Sequence, residues 1–288
     1  MMRVFTRILA LACISGALFT DQVSAQGLNL SNGSNDQPIS IDASGGIEWR
    51  QEQQLFIASG PAKATQGNMT IDADEMRAYY REGGDNGSEI IRLDAIGNVQ
   101  IRSPGRIATG GHAVYDVDRA VVVLKDGNPV KLISGGDVII AKGQLEFWDQ
   151  RNLAVARGGA QAARTDKRIR ADVLTAHFEK GKDGKTQVQL IEAFDNVRID
   201  TAREQVFSDR GAYNVPTGLA RLTGSVRIKR GSSQVNGCSA DIDLNTGISR
   251  LNSCEGAAVK GTTQRQPGGA TKSAPGRIHG VLSPKDKK

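Results

Sequence analysis

Aliphatic and polar residues alternate with period two in short bursts along most of this chain, and each burst follows a glycine or an Asx residue. Gly97-Asn98-Val99-Gln100-Ile101 is the clearest instance. The same shape returns as Gly60-Pro61-Ala62-Lys63-Ala64, Gly127-Asn128-Pro129-Val130-Lys131-Leu132, Gly159-Ala160-Gln161-Ala162 and Asp195-Asn196-Val197-Arg198-Ile199. It recurs again as Gly224-Ser225-Val226-Arg227-Ile228 and Gly256-Ala257-Ala258-Val259. Glycine reaches positive φ without steric cost, and period-two alternation sends successive side chains to opposite faces of a strand. Each motif therefore predicts a β-turn that opens a half-buried strand.

The spacing of the motifs adds a second level. Steps between them run 37, 30, 32 and then 36, 29, 32 residues, so a longer unit of 195 − 97 = 98 residues repeats. Side chains keep that offset. Ile71-Asp72-Ala73-Asp74 precedes Ile169-Arg170-Ala171-Asp172, Tyr80 precedes Phe178, and Ala113-Val114-Tyr115-Asp116 precedes Gly211-Ala212-Tyr213-Asn214. We read an internal duplication, with a first unit over residues 38–158 and a second over 159–260. The polar stretches Glu82–Ser88 and Lys180–Lys185 are matching loops, and no window has sustained helical periodicity with caps. Short strands joined by Gly, Asn and Asp turns predict an all-β fold, a stack, sandwich or roll with one dry face and one wet face.

Composition changes this picture little. Hydrophobic residues make up 39% of the 288-residue chain and aromatics 5%, which suits many short strands. The net charge of +6 is concentrated in residues 261–288, where six Lys and Arg are opposed by Asp286 alone, giving 6 − 1 = +5. The remainder is nearly balanced, which argues against nucleic acid as a partner. At the other end, Arg3 and Arg7, the apolar run Ile8–Phe19 and the small residues Val23-Ser24-Ala25 predict a cleavable secretory signal over residues 1–25. Residues 26–37 read as a flexible leader and 261–288 as a basic, disordered tail.

Two cysteines follow that signal, Cys238 and Cys254. Since 238 + 254 = 2 × 246, they face each other across a hairpin centred on Thr246. Opposed residues of an antiparallel pair lie within disulfide reach, and export places them in an oxidising compartment. Such a bridge would stabilise the fold by roughly 3 kcal/mol. The histidines His112, His177 and His279 lack ligand spacing, and there is no phosphate loop or serine elbow. Asp72 and Asp74 share an outward strand face and read as solvated carboxylates. Neither a catalytic residue, a metal nor a cofactor is expected.

Several stretches resemble a known family. Gln37-Pro38-Ile39-Ser40-Ile41-Asp42, Gln66-Gly67 before Ile71-Asp72-Ala73-Asp74, Tyr115-Asp116 before Val121–Leu124, and the late Arg277–Pro284 are similar to the OstA-like repeat of the LptA lipopolysaccharide-transport family. The resemblance implies an antiparallel β-jellyroll in the periplasm whose open apolar groove cradles the lipid A acyl chains of lipopolysaccharide. Positions that match the family's lining are Ile39, Ile41, Ile71, Tyr115 and Val117. Alternation and the repeat add Val99, Ile101, Ile169, Val197, Ile199 and Tyr213. The resemblance also implies edge strands that pair with LptC-like and LptD-like jellyrolls or with further copies of the chain, and no catalysis. Two other readings compete: a membrane-anchored LptC-like module, and a secreted β-helix polysaccharide lyase.

Overall fold

A computed structural model describes residues 39–83, 87–165, 167–180, 186–254 and 279–281. The expected signal and leader, and all of the basic tail except residues 279–281, lie outside them. The strands are β1 (Ser40–Ala43), β2 (Ile47–Arg50), β3 (Leu55–Gln66), β4 (Met69–Gly83), β5 (Gly87–Ser103), β6 (Arg106–Asp116), β7 (Val121–Lys125), β8 (Val130–Ser134) and β9 (Asp137–Ala141). They continue as β10 (Gln144–Trp148), β11 (Leu153–Arg164), β12 (Lys167–Lys180), β13 (Thr186–Asp200), β14 (Gln205–Asn214), β15 (Leu219–Arg230), β16 (Ser233–Asp243), β17 (Ile248–Asn252) and β18 (His279–Val281). Among the described residues the only helical pieces are two short 3₁₀ turns, Gln51–Gln53 and Asp149–Arg151. All pairings are antiparallel and join the strands into one sheet.

The strands are longer than the alternation suggested, and the repeated motifs are the reason. They do not open strands; most of them interrupt strands in mid-course. Register shifts fall between Ser59 and Ala62 in β3, Ile96 and Val99 in β5, Arg157 and Ala160 in β11, Phe194 and Val197 in β13, and Thr223 and Val226 in β15. At these points Gly60, Gly97-Asn98, Gly158-Gly159, Asp195-Asn196 and Gly224-Ser225 adopt positive φ. Two successive left-handed residues in a strand make a bulge that bends it without reversing it. The local chemistry is that of a turn, but the chain carries on. Gly256-Ala257-Ala258-Val259 lies outside the described residues; of the other motifs only Gly127-Asn128-Pro129 breaks a strand outright, separating β7 from β8 around the cis Asn128–Pro129 bond. The expected loops shrink likewise, because β4 runs to Gly83 and β5 resumes at Gly87.

Aligned bulges crease the whole sheet along one line and divide it into two half-sheets. One contains β2, β7, β10 and β17; the other contains β1, β8, β9 and β18; the long strands cross both. The two halves fold over a shared interior, because the main core cluster draws Met76, Leu93, Leu124 and Phe147 from one and Ile71, Ile101, Leu132 and Val130 from the other. This is an antiparallel β-jellyroll. Its two ends differ from a closed barrel: among the described residues β1 and β2 pair only with β3, and β17 and β18 only with β16.

Duplication is legible in contacts as well as in elements. Asn98 donates its side-chain N–H to Asp74 at 2.9 Å, and 98 residues on Asn196 donates to Asp172 at 2.8 Å. The two 3₁₀ turns also stand 149 − 51 = 98 residues apart, each closed by a left-handed residue, Gln54 or Asn152. The crease tolerates no side chain at Gly97 or Gly224. A Cβ there would come within 2.3 Å of an Asp74 carboxylate oxygen or 2.2 Å of an Asp209 one.

Cys238 and Cys254 form a disulfide with Cα atoms 5.0 Å apart. The hairpin register differs by one from the expected centre. Ser239 opposes Asn252 and Asp243 opposes Ile248, so paired positions sum to 491, and Cys254 reaches back from just beyond the end of β17.

Candidate functional site

Cross-strand register turns the alternation into continuous apolar rows along the interior. In the half-sheet containing β1, one row runs Ile41, Ala64, Ile71, Ile101, Ala108, Leu132, Ile139, Ala162, Ile169, Ile199, Val206, Ile228 and Val235, each directly opposite the next. In the other half-sheet a facing row runs Trp49, Phe56, Ala78, Leu93, Tyr115, Val122, Phe147, Ala154, Ala176, Ile191, Tyr213, Ala220 and Ile242. Neither row is interrupted by a charge. Directly opposed side chains of this kind stabilise a sheet pairwise, and together they line the interior of both repeat units with apolar groups.

Burial along the rows is uneven. Ile71, Leu93, Ile101, Val122 and Phe147 are buried in the first unit. Ile169, Ala176, Ile191, Ile199, Tyr213, Ala220 and Ile228 are only half-buried in the second. Val206 and Ile242 are nonetheless buried in the second unit, and Ile41, Phe56 and Tyr115 are half-buried in the first, so the rows are on balance more tightly packed in the first unit.

In the first unit Ile39, Ala64, Thr65, Gln66, Met69 and Ile71 from one half-sheet meet Leu93 and Tyr115 from the other around a small open-sided cleft. Burial is the first reason the Tyr115 hydroxyl is held above its ordinary pKa, with the Asp149 and Asp116 carboxylates adding to it, so the ring enters the cleft neutral. Beside it the inward face of the first edge carries an aromatic stack. Trp49 lies 5.5 Å from Phe56, Phe56 lies 5.1 Å from Tyr80, and the Trp49 indole N–H donates to the Tyr80 hydroxyl at 2.8 Å.

Of the residues read from sequence, Ile39, Ile71 and Tyr115 meet in this cleft. Ile41, Val99, Ile101, Ile169, Val197 and Ile199 belong to or pack on the main core. Tyr213 holds the row position equivalent to Tyr115, and Val117 lies just past β6, its N–H bonded to the Ile91 carbonyl at 3.0 Å. Sequence reasoning missed Met69, Leu93 and Ala64. Leu93 was within reach, because its alternation with Ala95 and the pairing of its strand with the Tyr115 strand place it inward.

The outer face holds the charges. Glu146 is buried there; burial pushes its carboxyl up, but hydrogen bonds from Arg157 at 2.5 Å, Gln144 at 2.8 Å and Trp148 at 2.9 Å prevail and hold it below the usual carboxylate range. Asp72 is bound by Lys63 at 3.4 Å and by Arg102, so this carboxylate is ion-paired rather than simply solvated. The expectation of a uniformly polar exterior fails where Ile107, Ile133 and Val138 oppose one another on the outside of the first unit, and again in the second unit at Phe207, Leu219 and Ile248. Among the described residues no group of three or more potential ligands gathers to hold a metal, and no helix is long and apolar enough to cross a membrane.

A family model described as LptA/(LptD N-terminal domain) LPS transport protein matches residues 40–143 and again 140–248, together most of the chain. An uncharacterized protein of Rhizobium meliloti (strain 1021) is 33% identical over 119 residues, covering 40% of this chain and 61% of that protein. The LPS-assembly protein LptD of Pseudomonas fluorescens is 30% identical over 92 residues, covering 32% of this chain and 9% of LptD. The chain thus spans less than two thirds of either relative. Among solved structures, LptH of Pseudomonas aeruginosa, an LptA-homologous periplasmic component of the lipopolysaccharide transport device, aligns over 88% of this chain and 99% of its own at 11% identity and a TM-score of 0.22.

Proposed function

The chain belongs to the LptA/LptD N-terminal family of lipopolysaccharide-transport proteins, and from that we propose that it carries lipopolysaccharide across the periplasm by holding the acyl chains between its two half-sheets. The observation that carries this reading is the pair of unbroken apolar rows running through both units, with an open-sided cleft between them at Tyr115. Each CH₂ removed from water contributes about 0.8 kcal/mol, so a few partly inserted acyl chains hold a lipid without any charged site. Holding by apolar area alone is non-directional, which lets a lipid move along the rows. A carrier needs that; a closed core does not.

The unpaired edges suit a bridge. Among the described residues β1 and β2 pair only with β3, and β17 and β18 only with β16, so an LptC-like jellyroll at one end and an LptD-like jellyroll at the other could each extend the sheet by a strand, as could further copies of this chain. The same rows would then continue from one protein into the next. Photo-crosslinking tests the groove. A benzophenone side chain at Tyr115 or Tyr213 should capture lipopolysaccharide, and one at outward-facing Lys63 should not. Equal capture at all three positions overturns the reading.

A further inference from the structure

The outer face of the second unit carries a second feature that the groove does not use. In the half-sheet containing β18, outward positions run Arg170, Arg198, Phe207, Arg227 and Asn236 in one row and Arg168, Asp200, Gln205, Lys229 and Gln234 in the next. These ten positions hold five cations and one carboxylate, a balance of 5 − 1 = +4. Arg170 and Arg198 both bind Asp200, at 2.9 and 2.8 Å. Arg168, Arg227 and Lys229 form no ion pair with a described carboxylate. Phe207 sits at the centre, its ring flanked by Arg227 at 4.5 Å, Arg198 at 5.5 Å and Lys229 at 5.9 Å.

This balance is local. The opposite half-sheet of the same unit mixes Arg210, Arg221 and Arg250 with Glu192, Asp241 and Asp243 on its outer face. The equivalent rows of the first unit carry Asp72, Gln100, Thr109, Lys131 and Ile140, and Thr70, Arg102, Ile107, Ile133 and Val138. Two units built on one plan have thus diverged to opposite surfaces at the same place, one largely neutral and apolar, the other basic.

We propose that this basic face is a docking surface for the anionic headgroups of a phospholipid membrane. Its shape decides among anionic partners. Five neighbouring strands spaced about 4.8 Å apart spread these cations across an open sheet face, which meets several phosphates at once and encloses none. Lipid held in the interior cannot reach it, since the sheet itself lies between. A nucleic acid would stack its bases on the surface aromatic, but cations already flank the Phe207 ring. Long Arg and Lys stems over an aromatic centre fit an interfacial plane, with the charges reaching toward headgroup phosphates. The surface would hold one end of the carrier beside a lipid layer.

Flotation of the purified full-length protein with vesicles tests this without any lipopolysaccharide, so its outcome is separate from that of the groove. Vesicles of equal parts phosphatidylcholine and phosphatidylglycerol should carry the protein upward, and vesicles of phosphatidylcholine alone should not. Raising salt from about 0.1 M to about 1 M shortens the screening length from roughly 10 to 3 Å and should abolish the association. The doubly substituted Arg227→Glu/Lys229→Glu protein should bind the anionic vesicles at least about tenfold more weakly, whereas Lys131→Glu, at the matching place in the first unit, should bind as the parent does. Circular dichroism verifies that each variant keeps its β-sheet signature. Binding to both vesicle types alike, salt-resistant binding, equal loss in the Lys131→Glu protein, or binding to single-stranded DNA in place of vesicles overturns the proposal.

Discussion

Leu93 and Ile191 hold the same place in the two repeat units, one step from a tyrosine in each row, yet Leu93 is 3% exposed and Ile191 is half-buried. The main buried cluster draws most of its members from the first unit and reaches into the second through Ala160, Ala171, Leu174, Ala193 and Val197, while a smaller cluster of Val206, Leu222, Val226, Ala240 and Ile242 lies wholly within the second. One plan thus serves two units, one packed more tightly than the other.

The sharpest way to break that comparison is to truncate both members of the pair. Leu93→Ala should cost about 3 kcal/mol, because the removed methyls leave a cavity among well-packed neighbours. Ile191→Ala should cost about 1 kcal/mol, since part of its surface is already wet. Urea unfolding midpoints measure both; equal losses would mean that the second interior is as closed as the first.

Next in size is the disulfide, which exists only in the second unit. Cys238→Ser/Cys254→Ser should lose about 3 kcal/mol on the chain-entropy account for a loop of this size, read as a lowered melting temperature. Gly97→Ala and Gly224→Ala should each lose about 2 kcal/mol, because both positions need positive φ and an added Cβ would meet an aspartate oxygen. Similar losses at the two would show that the crease carries equal load in both units.

A pH experiment isolates the seam between the units. Hydrogen bonds hold Glu146 below its ordinary pKa, so the folded form binds this proton less readily than the unfolded chain does. Its stabilisation is therefore full above the ordinary carboxylate pKa near 4.3 and fades as pH falls through the lower folded value. Glu146→Gln should lose about 1.5 kcal/mol at neutral pH and flatten the acid limb of the stability curve. An unchanged acid limb would place the acid sensitivity elsewhere.

Much of this was open to reading from the chain. Period two gave the inward residues correctly at Ile71, Val99 and Ile101, and the 98-residue offset is repeated contact for contact at Asn98–Asp74 and Asn196–Asp172. The crease was not, because a left-handed residue pair looks the same whether the chain reverses or bulges; only the partner strand distinguishes them. The cleft was half legible. Tyr115 came from the motif, but Met69 and Leu93 depend on which half-sheet folds over which. The basic face escaped because a near-zero sum over the folded region hid five cations gathered on one side by strand register.

The smallest effect probes how the units drifted apart. In the first, Asp72 binds Arg102, with Lys63 on its other side; in the second the polarity is reversed, Arg170 binding Asp200 while Gln161 accepts from Arg170 at 3.0 Å. Positions 63, 72 and 102 correspond to 161, 170 and 200 at the repeat offset. Reversing only the pair, as Asp72→Arg/Arg102→Asp, would set the new arginine against Lys63. The neutral residue at 161 is what the reversal requires. Exposed pairs contribute about 0.5 kcal/mol, so the double variant should lose about that much, and adding Lys63→Gln should recover most of it. Chemical denaturation of the parent, double and triple variants, repeated at high salt where the differences should shrink, measures a coupling the duplication has already carried out once.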